Sequence, residues 1–165
     1  MFGRFTQLLN VVGTLLILAM AIAVNADITG RNVFNNPLPG VLEFVGLAIV
    51  AIVFLQMANT LREDRHVSND ILVQLMSNLR PRLVAAMYAL FHLIGAILMA
   101  LIVWFVWPIL VENYVGGFYR GTANVIEIPN WPFIAAIVIG AAATAIQFLL
   151  FAWHAFRQAS GRGPA

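Results

Sequence analysis

The chain has 165 residues, of which 62% are hydrophobic and only 10% are charged. Soluble domains carry about 25% charged residues, so this chain has too few charges to cover a surface exposed to water. It contains no cysteine, which excludes disulfides, thiolate metal sites and cysteine nucleophiles. All nine basic residues are arginines that flank apolar stretches, so the pI of about 9.7 indicates a membrane surface and not nucleic acid.

Four long uncharged stretches divide the chain, at residues 5–26, 44–61, 83–111 and 128–156. A bilayer core of about 30 Å needs about 20 helical residues, and each stretch meets or approaches that length. Backbone groups in hydrocarbon must pair internally, and the alternation typical of barrel strands is absent. The sequence therefore predicts an all-α integral membrane protein that forms a single membrane domain over residues 1–165. Its transmembrane helices are expected at about residues 5–27, 41–61, 82–111 and 131–156.

The first stretch also has features of a signal peptide. Arg4 precedes the apolar run, and the small residues Ala21 and Ala23 could form a cleavage site. The apolar run from Leu8 to Val24 is longer than the ~7–15 residues usual for the hydrophobic part of a signal peptide. A retained transmembrane helix is therefore favoured, and a cleaved signal peptide is the alternative.

Arginine is distributed unevenly between the two sides of the membrane that these helices define. Seven arginines lie at the N-terminus, in the middle loop and at the C-terminus, and two lie in the other loops, at residues 27–43 and 112–127. Because short cytoplasmic loops are enriched in basic residues, the termini and the middle loop are predicted to be cytoplasmic. The seven are Arg4, Arg62, Arg65, Arg80, Arg82, Arg157 and Arg162, and the two are Arg31 and Arg120.

The first outer loop contains charges that could pair. Asp27 and Arg31 are four residues apart, so they would form an ion pair if the first helix continues outward. A solvated pair of this kind contributes only on the order of a few tenths of a kcal/mol. Glu43 ends the same loop. We expect Arg31 and Glu43 to hold the entry of the second helix, by pairing with each other or with Asp27.

The middle loop contains an amphipathic segment at about residues 69–79. Residues 68–70, which include Asp70, offer N-cap chemistry, and apolar side chains then share one face opposite polar ones. We predict a short helix in the membrane interface, with an amphipathic helix covered by a partner protein as the alternative. The apolar face comprises Ile71, Leu72, Leu75, Met76 and Leu79.

Three histidines raise the question of a haem or metal site. His92 is expected about 15 Å in from the cytoplasmic end of its helix, and His154 only about 4–5 Å from the cytoplasmic end of its own. Ligands of a shared cofactor would need similar depths. His66 lies in the middle loop without a neighbouring ligand pattern. Packing or interfacial roles are therefore favoured for the histidines, and no cofactor or metal is expected in this chain.

The uncharged stretches at residues 5–26, 44–61, 83–111 and 128–156 form the membrane interior of the predicted helices, so no Asp, Glu, Lys or Arg lies there, and no nucleophile–base arrangement or glycine-rich phosphate loop stands out. Active transporters usually carry ionisable residues in their spans, because such residues are costly there and mark ion paths. The polar residues are expected to form hydrogen bonds between helices, worth roughly 0.6–2 kcal/mol each. We therefore expect a non-enzymatic subunit and not a self-sufficient pump. These polar residues include Asn10, Thr14, Gln56, Asn59, His92, Thr144 and Gln147.

Three short motifs lie in order along the chain. Arg31 and Glu43 bracket a turn rich in Asn, Pro and Gly ahead of the second helix. The pair Phe54-Leu55 is followed by residues 61–70 at the exit from that helix, where Arg62, His66 and Asp70 stand in sequence. The third motif comprises Gly121-Thr122, then Ile128-Pro129-Asn130-Trp131, then Gly140 in the last helix.

With these motifs, over roughly residues 25–150, the chain resembles the small membrane subunit of tripartite ATP-independent periplasmic (TRAP) transporters, the DctQ-like family. Two positions depart from the family's pattern. Gln56 stands where a glycine often follows the Phe-Leu pair, and Val138 stands where a proline often precedes the last-helix glycine. These departures concern helix packing.

The resemblance implies a division of labour in a bacterial inner membrane. A periplasmic substrate-binding protein (DctP-like) captures an organic acid, and a large permease subunit (DctM-like) carries it inward by a sodium-coupled elevator motion. The small subunit enlarges the fixed scaffold and helps to dock the binding protein. Sodium is thus expected in the large partner, with membrane lipid around this chain. Residues expected in structural or partner contacts are Asp27, Arg31, Glu43, Arg62, His66, Asp70 and Arg120.

Two other functions stay open from the sequence. A membrane anchor of a redox enzyme is disfavoured by the unequal depths of the histidines. A stand-alone small transporter is disfavoured by the absence of charge in the spans. A visible absorption spectrum would test the first, and transport by the chain alone in proteoliposomes would test the second.

Overall fold

The computed structural model describes residues 2–63, 81–121 and 127–159. Four α-helices dominate these residues, and each is long and apolar enough to cross a bilayer. Two short strands pair antiparallel, with Tyr119 opposite Pro129 and Arg120 opposite Ile128. The chain is therefore an all-α, multi-pass membrane protein. The elements are α1 (Phe2–Val33), α2 (Val41–Glu63), α3 (Pro81–Val115), β1 (Tyr119–Arg120), β2 (Ile128–Pro129) and α4 (Trp131–Ala159).

The four helices lie in a row and not around a closed core. In this row α2 and α4 pack against each other in the middle, α1 packs along the other side of α2, and α3 packs along the other side of α4. Among the described residues, extensive helix packing is confined to these three pairs. About a third of the spanning stretch of α4 is buried (33%), against 6% of that of α3. The helices α1 and α3 thus form the edges of the row.

The two ends of the row differ in the residues that they carry. At one end, named the basic end here, the start of α1 meets the end of α2, since Arg62 contacts Gly3. The opposite end, named the turn end, carries the turn that joins α1 to α2, and there Tyr114 of α3 packs on Trp131 of α4 at 5.5 Å between ring centroids. Neighbours in the row therefore run antiparallel at both edges, and α2 and α4 run parallel in the middle.

Small residues allow α2 and α4 to approach closely. A Cβ atom at Gly140 would overlap the backbone carbonyl of Phe54, so the two helices touch backbone to backbone at this point. Alanines on both helices are fully buried nearby. Because lipid tails are as apolar as the side chains, helices in a membrane associate largely through such close packing. The fully buried alanines are Ala48, Ala51, Ala58 and Ala141.

The first helix is longer than the sequence predicted. Its end was expected near residue 27, but α1 continues to Val33. The carbonyl of Gly30 accepts the N–H groups of Phe34 and Asn36, and Asn35 has a φ of 50°, which turns the chain away from the helix axis. A charge such as Asp27 marks where the apolar span ends, but it does not end a helix. The end of the helix is set by this left-handed residue.

Three predictions for the middle loop lie outside the described residues. They are the interfacial helix at residues 69–79 and the contacts expected for His66 and Asp70.

Candidate functional site

At the turn end, Asp27 fastens the loop between α1 and α2 to the side of α1. Its Oδ1 accepts the backbone N–H of Leu38 at 2.8 Å, and its Oδ2 accepts Nη2 of Arg31 at 3.0 Å. The side chain of Asp27 is only 13% exposed, whereas that of Arg31 is 60% exposed. A hydrogen bond to a shielded carboxylate is worth more than an ion pair with a solvated arginine. The hydrogen bond to Leu38 therefore contributes more to holding the loop against α1 than the ion pair with Arg31 does.

The ion pair between Asp27 and Arg31 is one of the pairings that the sequence left open. Glu43 pairs with neither of these residues in the described structure, so the expectation that it holds the loop by pairing is wrong. It occupies the first turn of α2, where the carbonyl of Gly40 accepts the N–H of Phe44 at 2.9 Å. A carboxylate at this position is stabilised by the positive end of the helix dipole. The entry of α2 is thus held by Asp27 through Leu38.

At the basic end, Arg62 joins the end of α2 to the first turn of α1. Its Nη1 donates to the carbonyl of Gly3 at 2.7 Å and lies 3.3 Å from the hydroxyl oxygen of Thr6. Thr6 is fully buried, and its own hydroxyl donates to the same carbonyl at 3.1 Å. A Cβ atom at Gly3 would lie 2.7 Å from Nη1, so the glycine leaves room for the guanidinium. We name this set the Arg62 clasp.

The departure from the family's pattern at Gln56 has a structural counterpart on α1. A Cβ atom at Gly13 would lie 2.8 Å from Cγ of Gln56, so the absence of a side chain at Gly13 leaves room for Gln56. Nε2 of Gln56 lies 3.5 Å from the hydroxyl oxygen of Thr14, which is at the limit for a hydrogen bond. At the second departure, Val138 is buried within an uninterrupted α4.

The histidines of the spans take different positions. His92 lies between α3 and α4, where its ring packs edge-on against Phe148 and Phe151 at centroid distances of 6.0 and 5.5 Å. Its Nδ1 lies 2.7 Å from the carbonyl oxygen of Tyr88, one turn earlier. His154 is exposed near the basic end. His92 therefore has a packing role between two helices, one of the roles favoured from the sequence.

Two asparagines connect α3 to α4 at the turn end. Nδ2 of Asn130 donates to Oδ1 of Asn113 at 3.3 Å, and the backbone N–H of Asn130 donates to the carbonyl of Phe118 at 3.2 Å. The carbonyl of Asn130 then accepts the N–H groups of Phe133 and Ile134 and so begins α4. Sequence reasoning placed Asn130 in a family motif without assigning it a contact, and it assigned no role to Asn113, Gly3, Thr6 or Gly13.

Arg120 lies on β1 and is exposed. It forms no ion pair with any residue that the structure describes. The turn end therefore presents two exposed arginines: Arg31, which is partly neutralised by Asp27, and Arg120, which is not.

These features define a class of protein: a multi-pass membrane protein whose neighbouring helices are joined by close packing and by a few polar contacts, such as those of Arg62 and Asn130. The sequence of residues 20–158 matches the family model of tripartite ATP-independent periplasmic transporters, DctQ component. This match covers most of the chain, which therefore belongs to the DctQ family, the small permease subunits of TRAP transporters. The resemblance found in the sequence is confirmed. Comparison with curated proteins and with solved structures gave no significant match.

Proposed function

We propose that this chain enlarges the fixed scaffold of the large permease subunit and helps to dock the periplasmic substrate-binding protein, in the sodium-coupled uptake of an organic acid. Membership of the family supports the presence of both partners. The observation that carries the scaffold role is the open row of helices. A row encloses little space between its helices, but it offers long apolar surfaces to a neighbour, and exposed large apolar side chains occur on all four helices.

The proposed orientation places the basic end in the cytoplasm and the turn end in the periplasm of a bacterial inner membrane. The distribution of arginines in the sequence supports this orientation. Reporter fusions after residues 65 and 162 should then report a cytoplasmic location, and a fusion after Arg120 should report a periplasmic one. A periplasmic signal from the fusion at residue 65 would contradict the proposed orientation.

In this orientation Arg31 and Arg120 face the periplasm. We propose that they attract an acidic patch on the binding protein, because complementary charges steer proteins together. Surface charges are screened over about 8–10 Å at physiological ionic strength, so docking should weaken as salt is added. Docking that does not respond to salt would remove the arginines from the proposal and leave the scaffold role intact.

Binding of sodium and of the organic acid is assigned to the large partner. An organic anion needs cationic groups or helix N-termini at its site, often where helices break near the middle of the membrane. The four apolar stretches of this chain, at residues 5–26, 44–61, 83–111 and 128–156, carry no Asp, Glu, Lys or Arg. Calorimetry with the purified subunit, sodium and candidate acids should therefore give no binding in the micromolar range.

The central experiment is purification of the tagged chain from its native membrane in a mild detergent. A large permease subunit should co-purify and be identified by mass spectrometry. Proteoliposomes that contain the large subunit, this chain and the binding protein should accumulate an organic acid when a sodium gradient is imposed, and omission of this chain should lower uptake. Transport by this chain alone would contradict the scaffold role and support a stand-alone transporter.

A further inference from the structure

We propose that one side of α1 is the seam at which this subunit packs against a transmembrane helix of the large permease subunit, and that α3 at the opposite edge faces lipid. We name this side of α1 the polar flank, and it is defined by Gln7, Asn10, Thr14 and Asn25. The proposal rests on the proposed function, since it takes the large subunit as the neighbour of this chain.

The helical repeat separates three sides of α1. At 3.6 residues per turn, the buried residues Thr6, Leu9 and Gly13 face α2. The polar flank and the exposed Ala21 lie together at roughly 90° from that face, on one side of the helix. The opposite flank carries apolar side chains alone, at Phe5, Val12, Leu16, Ala19 and Ala23. The two flanks therefore lie on the two broad sides of the row and differ in polarity.

The polar flank has hydrogen-bonding capacity that the described structure does not use. Nδ2 of Asn25 donates to the carbonyl of Ala21 at 2.7 Å, and its Oδ1 accepts no hydrogen bond from residues 2–63, 81–121 or 127–159. The hydroxyl of Thr14 is in use, since it donates to the carbonyl of Asn10 at 2.9 Å and lies 3.5 Å from Nε2 of Gln56, so the unused capacity lies on the amides of the flank. The side-chain amide of Asn10 forms no hydrogen bond with any described residue. Because Asn10 lies six residues beyond Arg4, its amide is about 9 Å inside the span.

The unpaired hydrogen-bonding groups of the polar flank indicate whether lipid or protein lies next to it. Lipid tails have no hydrogen-bonding groups, so an amide that faces them loses its water without gaining a partner. A neighbouring helix can supply the missing partners, and polar side chains across a helix pair are a common means of association in membranes. The polar flank is thus complementary to a protein surface with hydrogen-bonding groups and not to lipid.

The opposite edge of the row has a different composition. Every exposed residue of α3 from Ala86 to Val111 is apolar or a tryptophan. The ring of His92 packs on α4. Trp104, which is 76% exposed, and Trp107 lie toward the turn end, where the bilayer surface favours tryptophan. This edge already matches lipid and needs no protein to cover it.

Three exposed alanines at similar depths allow a matched test. Ala21 lies on the polar flank, 17 residues from Arg4, and Ala19 lies on the opposite flank, 15 residues from Arg4. Ala100 lies on α3, 18 residues from Arg82. A photoreactive diazirine amino acid is placed at each alanine in turn, in the full chain in its native membrane. After irradiation, the adducts are identified by mass spectrometry.

We expect Ala21 to form an adduct with the large permease subunit, and we expect Ala19 and Ala100 to form adducts with lipid. An adduct with the large subunit from Ala19 or Ala100, without one from Ala21, overturns the proposal. Lipid adducts alone at all three positions, or an adduct of Ala21 with a second copy of this chain, overturn it too. Each sample is first checked for a co-purified large permease subunit. If that subunit is absent, the proposed function has failed, and this result is distinguishable from a failure of the seam.

A second measurement tests the hydrogen bonds themselves. Replacing Asn10 with leucine keeps the number and branching of the side-chain heavy atoms and removes the amide. The yield of co-purified large subunit per copy of this chain should fall about three- to thirtyfold, which is the range expected for an interhelical hydrogen bond in a membrane. The control Val12→Leu, on the opposite flank and only about 3 Å deeper, should leave the yield unchanged. Equal yields from both variants would overturn the role of Asn10 in the seam.

Discussion

In the middle of the row, the backbones of α2 and α4 approach until no side chain separates Gly140 from Phe54. At the edges, side chains reach across to the neighbouring helix, as Arg62 does at one end of α1 and as His92 does between α3 and α4. Where two backbones touch, there is no side chain that could move to make room for a larger residue. A long side chain, in contrast, can change its conformation when a neighbour becomes larger. The middle of the row should therefore be rigid and sensitive to substitution, and the edges should be more tolerant.

The largest effect is expected at Gly140. Leucine at this position would force α2 and α4 apart, because its Cβ atom alone overlaps the carbonyl of Phe54. We expect a loss of about 1–3 kcal/mol or more in the free energy of unfolding. The matched control is Gly46→Leu, since a Cβ atom at Gly46 has nothing within 4 Å. Thermal unfolding in detergent, followed by circular dichroism, measures both. Equal stability of the two variants would contradict a rigid middle.

The next effect is expected at the Arg62 clasp. Replacing Arg62 with glutamine removes the hydrogen bonds from the guanidinium to Gly3 and Thr6. We expect a loss of about 1–2 kcal/mol, since hydrogen bonds from a charged donor exceed neutral ones. Arg4→Gln is the control, because Arg4 is exposed on the same end of α1. Unfolding in detergent should separate the two variants, and an equal loss from both would assign the effect to net charge and not to the clasp.

A smaller effect is expected at the turn end, where the two bonds of Asp27 can be separated. Asp27→Ala removes both bonds and should cost about 1–2 kcal/mol, whereas Arg31→Ala removes the exposed ion pair alone and should cost under about 0.5 kcal/mol. The measurement is again unfolding in detergent. Arg31→Ala and Glu43→Gln should be additive in a double-mutant cycle, because no ion pair joins them in the described structure. A coupling energy above about 0.5 kcal/mol between these two would contradict this geometry.

The smallest effect is expected on the lipid-facing side of α3. Leu98 is 54% exposed, so Leu98→Ala should change the free energy of unfolding by under about 0.5 kcal/mol. The comparison is Leu55→Ala, in the packed middle at 3% exposure, which should cost about 2–4 kcal/mol through the cavity that it leaves. Similar losses from the two substitutions would mean that the middle and the edge do not differ.

The sequence predicted the four spans because the absence of charge over about 20 residues is a property of composition alone. It did not predict the end of α1. A charge such as Asp27 shows where the apolar part of the membrane ends, but it does not show where the helix ends. It predicted no order for the helices in the row. In water, the apolar stripe of a helix shows which side faces inward. In lipid both sides are apolar, and this signal is lost.

The sequence predicted only some of the contacts of the candidate site, because only some of them involve residue types that mark a partner. The ion pair between Asp27 and Arg31 follows from a spacing of four residues on a helix, which is visible in the sequence. The bonds from Arg62 to Gly3 and from Asp27 to Leu38 involve backbone groups. Every residue has such groups, so no residue type marks them as partners. The resemblance to the family drew attention to Gly140, but its contact with Phe54 required the fold.

The order of the helices in the row also bears on how the chain is made. Along the chain the helices follow as α1, α2, α3 and α4, but in space α4 lies between α2 and α3. When the synthesis of α3 is complete, its main neighbour α4 has therefore not yet been synthesised. The apolar surface of α3 is compatible with exposure to lipid until α4 has been synthesised. The helix α4, which follows α3 in the chain, lies between α2 and α3 in the fold, and its Gly140 lets it approach the backbone of α2 closely.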